Sequence, residues 1–461
     1  MPIPFKPQLI ALLVSSSLSS AVMAEESATS SDQTTGFASA LKMALQNDPE
    51  LKYAFYNYKA EQEVGNVALS QLLPNVSLES SYNYSLVDNY YTSDDYTPTS
   101  ADLIERTKDE QSDYMTRVSL QQSLVNVAAW QSYSGAKESV RQSQYTYTRA
   151  EQELIYRLSQ AYLKALLAAQ QVYITEEKLE SIQLKLDQTE RMNELGVGGR
   201  LNVLRAISSR DVAKSDLLQA QSNLDDAQNK LENITGSAVT IPEDWVVNNY
   251  LILPKLSKDE NKDWVKKIQD NTLLLAQMAN VRSKELNAQA SSSKHLPTLS
   301  LSLTYTDRNS DDIYVESTNS TASIRFSMPL YSGGKTSAEA RQAEASYHAA
   351  QAKYEKTLSD TQQTIKLSVT QLNSYRDRLL ALEESRKSSL AFLDAAERQA
   401  DLSLGSQVDV LEARTELYDV RLELAKTLSD YLISDLNLLL ETGQLSDKTL
   451  SRYDNLFNRN T

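Results

Sequence analysis

The chain repeats itself, and this internal repeat constrains its fold more than any other feature. Residues 47–82 align without a gap to residues 270–305, at an offset of 270 − 47 = 223. Further along, VSLQQSLV at 118–125 matches IRFSMPLY at 324–331, at an offset of 324 − 118 = 206. Several matches that keep their order along a chain indicate a duplicated structural unit. We therefore predict two tandem copies, the first with 223 − 206 = 17 extra residues in one loop.

The segments around the two copies can be recognised from their composition. The first residues carry Lys6, a short apolar run and small residues up to Ala24, which is the pattern of a cleaved secretory signal peptide. The apolar run is too short to cross a bilayer, which takes roughly 20 apolar residues. The predicted organisation is a signal peptide (1–24), a first copy (25–236), a linker (237–261), a second copy (262–443) and a C-terminal tail (444–461).

Each copy contains two predicted β-strands. A helical stretch, at about 37–72 and again at about 262–292, ends at a Leu-Pro pair, because proline disfavours helix at the residue before it. Apolar and polar residues then alternate, which is typical of a strand with one apolar and one polar face. The strand pairs are predicted at about 76–124 and about 298–330, which makes four strands per chain.

The rest of each copy is predicted to be helical. Long helices at about 130–195 and about 336–404 contain no proline, and Gly135 is their only interior glycine. At a rise of 1.5 Å per residue, such a helix spans about 100 Å. Each ends in a glycine turn and is followed by a return helix, at about 201–234 and about 407–442. In the last helix apolar residues recur every seven positions, which indicates coiled-coil packing.

Four strands are too few to stand alone in a membrane. Outer-membrane barrels begin at about 8 strands, and open sheet edges are not tolerated in lipid. If the sheet lies in a membrane, several chains must pool their strands, with the apolar face towards lipid and the polar face towards a wet lumen. The alternative is a soluble antiparallel sheet packed on a core.

Composition excludes several classes of function. The chain has no cysteine and two histidines, so thiol chemistry is impossible and a zinc site built on Cys or His is not expected. Its formal net charge of −15 has the wrong sign for a nucleic-acid binder. We predict no metal, no cofactor and no nucleic-acid partner, and we interpret His295 and His348 as surface or packing residues.

With these features the chain resembles the TolC-like outer-membrane efflux channels. The resemblance rests on the duplication, the Leu-Pro pair before each strand pair, FSMPLYSGGK at 326–335 and the paired glycine turns. It implies an α+β membrane protein that forms a homotrimer, with a twelve-stranded β-barrel in the outer membrane of a Gram-negative bacterium and a periplasmic α-barrel of coiled-coil helices. It also implies a passive, non-enzymatic exit duct, in contact with outer-membrane lipid, that an inner-membrane transporter energises through a periplasmic adaptor.

Two acids after the second glycine turn are candidate gate residues. Asp409 and Glu412 are three residues apart, which places both carboxylates on one face of a helix. By the resemblance, they match the acids of the family's periplasmic gate and would form two rings of three carboxylates that favour cations. The alternatives are acids that stabilise a helix N-terminus, solvated charges, or a catalytic carboxylate pair.

The residues that hold the gate closed in the family are missing here. In relatives an Arg and a Tyr near the second turn reach a Thr-Asp pair at the first turn. The matching positions hold different residues, namely Gln407, Leu402, Leu201 and Asn202. We therefore expect the closed state to depend on packing, or on Arg200 or Arg205 reaching the gate acids.

The two glycine turns are the candidate adaptor-docking sites. The resemblance assigns this role to Leu195, Gly196 and Val197 at the first turn and to Leu404, Gly405 and Ser406 at the second. The simpler reading, that glycine supplies a positive φ for the turn, is compatible with docking. For the cargo we favour type I protein secretion, because the polar, acidic duct resembles the TolC branch and no N-terminal lipid-attachment cysteine is present. Small-molecule or drug efflux and a non-conducting structural envelope protein are the alternatives.

Overall fold

The computed structural model describes most of the predicted mature chain. The described residues are 36–88, 108–196, 199–241, 264, 267–310, 317–402 and 407–446. The predicted signal peptide, most of the linker and most of the tail lie outside these ranges, as do Val197, Leu404, Gly405 and Ser406. Within the described ranges, no helix combines the length and the apolar character needed to traverse a bilayer.

The first copy contains four helices and two strands among the described residues. They are α1 (Phe37–Asn47), α2 (Pro49–Ser70), β1 (Asn75–Asp88), β2 (Lys108–Val125), α3 (Val127–Glu194) and α4 (Arg200–Thr235). In the second copy a 3₁₀ turn (Lys267–Asp270) precedes α5 (Thr272–Ser293), β3 (Thr298–Ser310), β4 (Ser317–Ser327), α6 (Lys335–Asp401) and α7 (Gln407–Glu441). The α+β fold with duplicated long helices and four strands is confirmed.

The first helical stretch differs from the single helix expected at about 37–72. It breaks at Asp48, because Pro49 disfavours helix at the residue before it and Asp48 caps the new helix by accepting a hydrogen bond from the Leu51 N–H at 2.7 Å. The second copy breaks at the equivalent place. There Asn271 caps α5 by accepting from the Leu274 N–H at 2.9 Å.

The four strands form one antiparallel sheet in the order β1-β2-β3-β4. In the middle of the sheet its register aligns rows of apolar residues and rows of polar residues. One apolar row runs Val76, Leu120, Leu303, Ala322, and one polar row runs Glu79, Arg117, Thr306, Asn319. The Arg117 and Glu79 side chains of the polar face lie 3.5 Å apart. Neither β1 nor β4 pairs along its outer edge with any other described strand of the chain.

The helices continue the layer that the strands begin. Next to the sheet, α2 packs on α3, α3 on α5 and α5 on α6, so α2 and α6 lie at the two outer edges. Farther from the sheet, α3 packs instead between α4 and α7, and α7 packs on α6. The main core lies between the part of the helical layer next to the sheet and the part farther from it, around Leu158, Leu166 and Leu432. Helix α1 covers this core, and its Phe37 ring lies 5.3 Å from the Tyr162 ring.

Candidate functional site: the helical tips and the acidic groove

The predicted gate acids lie on the exposed side of the α7 N-terminus. Asp409 lies in the first turn of α7, and both Asp409 and Glu412 are exposed. The neighbouring Val410 and Ala413 are buried against Ala396 of α6. This apolar contact sets which face of α7 is buried, and both acids lie on its exposed side. The position of Asp409 also suits the positive end of the helix dipole, and the two roles are compatible.

The acidic face extends farther along α7 than the sequence pattern of two residues suggested. Glu416, Asp419 and Glu423 follow Asp409 and Glu412 at alternating spacings of three and four residues. Acids thus recur with the same period as the buried apolar residues of α7. This helical spacing was the sequence signal from which the full acidic face could have been predicted. The last four of these acids line a groove of about 930 Å³ between α4 and α7.

Neighbouring groups compensate the acids at the end of the groove far from the tip. Glu423 pairs with Arg378 of α6, and the Asp419 carboxylate lies 3.8 Å from the Lys178 ammonium of α3. Glu416 accepts a hydrogen bond from the Ser389 hydroxyl at 3.5 Å. The groove is therefore acidic, and three of its acids are bonded to side chains of α3 and α6.

One predicted latch residue lines this groove. The Arg205 side chain of α4 lies in the same groove as Glu412. Within one copy, and among the described residues, no ion pair within 4.0 Å joins Arg200 or Arg205 to Glu412. Arg205 thus shares the groove with a predicted gate acid and forms no ion pair with it.

The other predicted tip residues are mostly exposed. Leu195, Leu201 and Leu402 expose 78%, 61% and 69% of their surfaces. Gly196 has a φ of +78°, and its N–H donates to the Asn193 carbonyl at 3.0 Å, which closes the end of α3. Asn202 is half-buried and donates its backbone N–H to the Gly199 carbonyl at 2.9 Å. Gln407 is the first residue of α7.

The histidines lie away from the tips. His348 is exposed on α6, where its Nδ1 lies 3.1 Å from the Gln351 side chain and its Nε2 lies 3.4 Å from Glu344. His295 is exposed after the end of α5. Among the described residues no group of three or more His, Asp or Glu side chains could hold a metal ion.

The fold and the tips define an outer-membrane channel of the exit-duct class. The four-stranded sheet continues into long helical rods whose far ends carry an acidic groove. A family model described as "Outer membrane efflux protein" matches residues 40–237 and 265–444. The chain therefore belongs to the outer membrane efflux protein family, is located in the outer membrane and reaches into the periplasm.

Individual relatives agree with this assignment. Outer membrane protein TolC of Vibrio cholerae serotype O1 is 26% identical over 451 residues, which cover 96% of either chain. Proteases secretion protein PrtF of Dickeya chrysanthemi is 26% identical over 439 residues, covering 91% of this chain and 90% of PrtF. Among solved structures, the CmeC outer membrane channel of Campylobacter jejuni superposes with a TM-score of 0.75 at 16% identity and covers 95% of each chain. The resemblance to TolC-like channels is confirmed.

Proposed function

We propose that three copies of this chain form a duct through which protein substrates of a type I secretion system leave the cell. An inner-membrane transporter energises the duct through a periplasmic adaptor. One observation carries the proposal. The amphipathic sheet, whose two outer edges are open within the described part of the chain, continues without a break into the long helices, and these end in an acidic tip.

Trimerisation is supported by the two outer strands, neither of which pairs along its outer edge with another strand of the described residues. At one side β1 lies above α2, and at the other side β4 lies above α6. The outer face of α2 exposes Tyr53, Tyr56, Val64 and Val67, an apolar stripe with helical spacing. Pairing β1 of one copy with β4 of the next brings this stripe against α6 of that copy. Repeating the contact in a closed ring removes every open edge, as a membrane sheet requires.

In the proposed trimer, the gate acids form two rings close to the axis. Three copies of Asp409 and three of Glu412 would concentrate negative charge at the periplasmic end of the duct, which favours cations over anions. The leucines exposed at the tips, with Gly196, Val197, Leu404, Gly405 and Ser406, supply the surface for the adaptor. Exposed apolar side chains at the end of a helical rod are suited to bind a helical partner that also exposes apolar side chains.

Relatives in both branches of the family bear on the cargo. PrtF and the alkaline protease secretion protein AprF of Pseudomonas aeruginosa carry protein secretion in their names and are 26% and 25% identical to this chain. The outer membrane efflux protein BepC of Brucella suis biovar 1 is 22% identical over 409 residues. The higher sequence identity to the two protein-secretion relatives favours protein secretion. Small-molecule efflux is the second candidate.

Conductance of the purified protein in a planar bilayer tests the duct. We expect cation-selective current that di- or trivalent cations block from the periplasmic side, and we expect Asp409→Asn/Glu412→Gln to abolish the block. Glu190→Gln/Glu194→Gln is the matched control, because it removes two exposed acids from the end of α3. A channel whose block survives the first variant would remove the gate role, and absence of current in the wild type would overturn the duct.

A deletion strain distinguishes the two cargo classes. Loss of specific polypeptides from the culture medium, with unchanged susceptibility to toxic small molecules, supports type I secretion. The opposite pattern would assign the chain to a small-molecule pump.

A further inference from the structure

We infer that a cluster of side chains between α3 and α7, set back from the tips, holds the gate-bearing end of α7 in its resting position. The cluster, called here the inter-coil clamp, consists of the cations Arg414, Arg421 and Lys178 and the acids Glu177, Asp216, Glu397 and Asp419. The inference rests on the proposed duct and deepens it, because it assigns the control of the gate to residues other than the predicted Arg200 and Arg205.

The first link of the clamp joins Arg421 of α7 to Glu177 of α3. The guanidinium Nη1 lies 2.7 Å from the Glu177 Oε2, and both side chains are about two-thirds or more shielded from solvent. The Tyr418 hydroxyl donates to the Glu177 backbone carbonyl at 3.3 Å, and its ring centroid lies 5.6 Å from the Arg421 guanidinium carbon. A charge-assisted bond and a hydrogen bond thus reach the same residue of α3, and the cation–π contact holds Arg421 and Tyr418 together on α7.

The second link is Arg414, which binds two helices at once. Its guanidinium donates to the Ser181 hydroxyl of α3 and to the Glu397 carboxylate of α6. Arg414 is half-buried, with its side chain 24% exposed. This side chain therefore ties α7 both to its own coil partner and to the opposite coil.

The third link is Lys178, whose ammonium is buried between acids of different helices. The Asp216 carboxylate of α4 approaches it to 3.4 Å and the Asp419 carboxylate of α7 to 3.8 Å. A buried lysine is stable only when its charge is compensated. Lys178 therefore requires both α4 and α7 to stay close to α3.

The clamp lies near enough to the gate acids to set their position. Arg414 follows Asp409 by five residues and Arg421 by twelve, which is about 8 Å and 18 Å along a helix. A helix transmits rotation over such lengths as a rigid rod. The clamp residues are argued to act on the gate acids through α7, so they are positioning residues.

The Arg414 link of the clamp is not repeated by the duplication. At the offset of 408 − 201 = 207 that relates α7 to α4, Arg414 and Arg421 correspond to Ile207 and Lys214. The residue that binds α3 and α6 together therefore has no cationic counterpart on α4. Within one chain, this asymmetry assigns the restraint to α7, the helix that carries the gate acids.

The test compares Arg414→Gln/Arg421→Gln with Arg398→Gln/Arg282→Gln. The control also removes two arginines, but Arg398 pairs within α6 and Arg282 pairs within α5, so neither joins α7 to another helix. The chain has no native cysteine, so spin labels on Asn193→Cys of α3 and Gln399→Cys of α6 report the separation of the two coils at the tips. The labelled chains are diluted with unlabelled full-length chains.

We expect the clamp variant to lengthen and broaden the label distance and to shift the channel towards its conducting state by roughly 3- to 30-fold, as partly buried ion pairs allow. The control should leave both unchanged. Arg421→Glu should reproduce part of the effect, and Glu177→Arg/Arg421→Glu should reverse it. Label distances identical to the wild type in the clamp variant would overturn the inference. The label distances test the clamp independently of conductance. If neither the wild type nor any variant conducts, the proposed duct is overturned and the clamp is still tested.

Discussion

Gly443 lies so close to Asp270 that a Cβ atom built on Gly443 would stand 2.1 Å from the Asp270 carbonyl oxygen. The contact joins the end of the second return helix to the turn before α5. The first copy repeats it, because Gly236 after α4 lies against Asn47, whose side chain donates to the Thr235 carbonyl at 3.0 Å. Both glycines have positive φ values, +69° and +72°. The two copies thus close their helical loops with the same joint.

Replacing these glycines by alanine should destabilise the protein in a graded order. Gly443→Ala adds a backbone clash to the cost of a left-handed residue, whereas Gly236→Ala meets only the Asn47 side chain, whose nearest atom, Cβ, lies at 3.1 Å. Gly333→Ala is the control, since Gly333 has a φ of +63° and no atom within 4 Å of its built Cβ, so it should cost only about 1 kcal/mol. Denaturant unfolding measures the free energy of unfolding of each variant. Equal losses of stability at all three positions would contradict the structural role assigned to Gly443 and Gly236.

Arg149 should contribute strongly to stability. Its guanidinium is buried, binds Glu153 at 2.7 Å and Glu441 at 2.9 Å, and donates to the Leu440 carbonyl at 3.3 Å. Arg149→Met leaves the Glu441 carboxylate without this cation, and a loss of about 3 kcal/mol is expected in denaturant unfolding. Arg141→Met breaks only the exposed pair with Glu138 and should cost less than about 1 kcal/mol. Similar losses in the two variants would refute this ranking.

Asp430 should make the protein less stable as the pH rises. Partial burial raises the pKa of this carboxyl above its ordinary value, and the nearby Glu423 raises it further against the opposing Lys426. Because the folded-state pKa exceeds the unfolded-state pKa, the contribution of Asp430 is fully present below the unfolded value and is lost as the pH rises through the folded value. The wild type should therefore lose stability relative to Asp430→Asn over this window. Asp225→Asn, at an exposed site on α4, serves as the control, and parallel pH profiles for wild type and Asp430→Asn would contradict the prediction.

The apolar stripe on α2 should be needed for assembly. Tyr53 and Tyr56 expose 70% and 69% of their surfaces in the single chain. If they are buried against α6 of the next copy, Tyr53→Ser/Tyr56→Ser should raise the dissociation constant of the trimer by at least about 10-fold. Light scattering of the detergent-purified protein measures this. Leu184→Ser changes a residue of α3 that is 58% exposed and should leave the trimer intact, so equal dissociation of both variants would argue against the proposed edge.

The sequence by itself determined the duplication, the four alternating strands, the two long rods and the membership in a channel family. The strands and rods depend on local periodicity, since burial on one face repeats every two residues in a strand and every three to four in a helix, whereas the duplication and the family follow from matching residues. The break at Asp48 was also encoded locally, by Asp-Pro, although the helical period on both sides of it masked the signal.

Only the tertiary structure decided which side chains meet across the helices. The sequence directed attention to Arg200 and Arg205, because they adjoin the positions where relatives carry a latch, whereas the structure pairs Arg421 with Glu177, which is 244 residues away. Such a pair depends on the rotation and axial shift of α7 against α3. Those are set by packing along the whole length of both rods, and no local pattern records them.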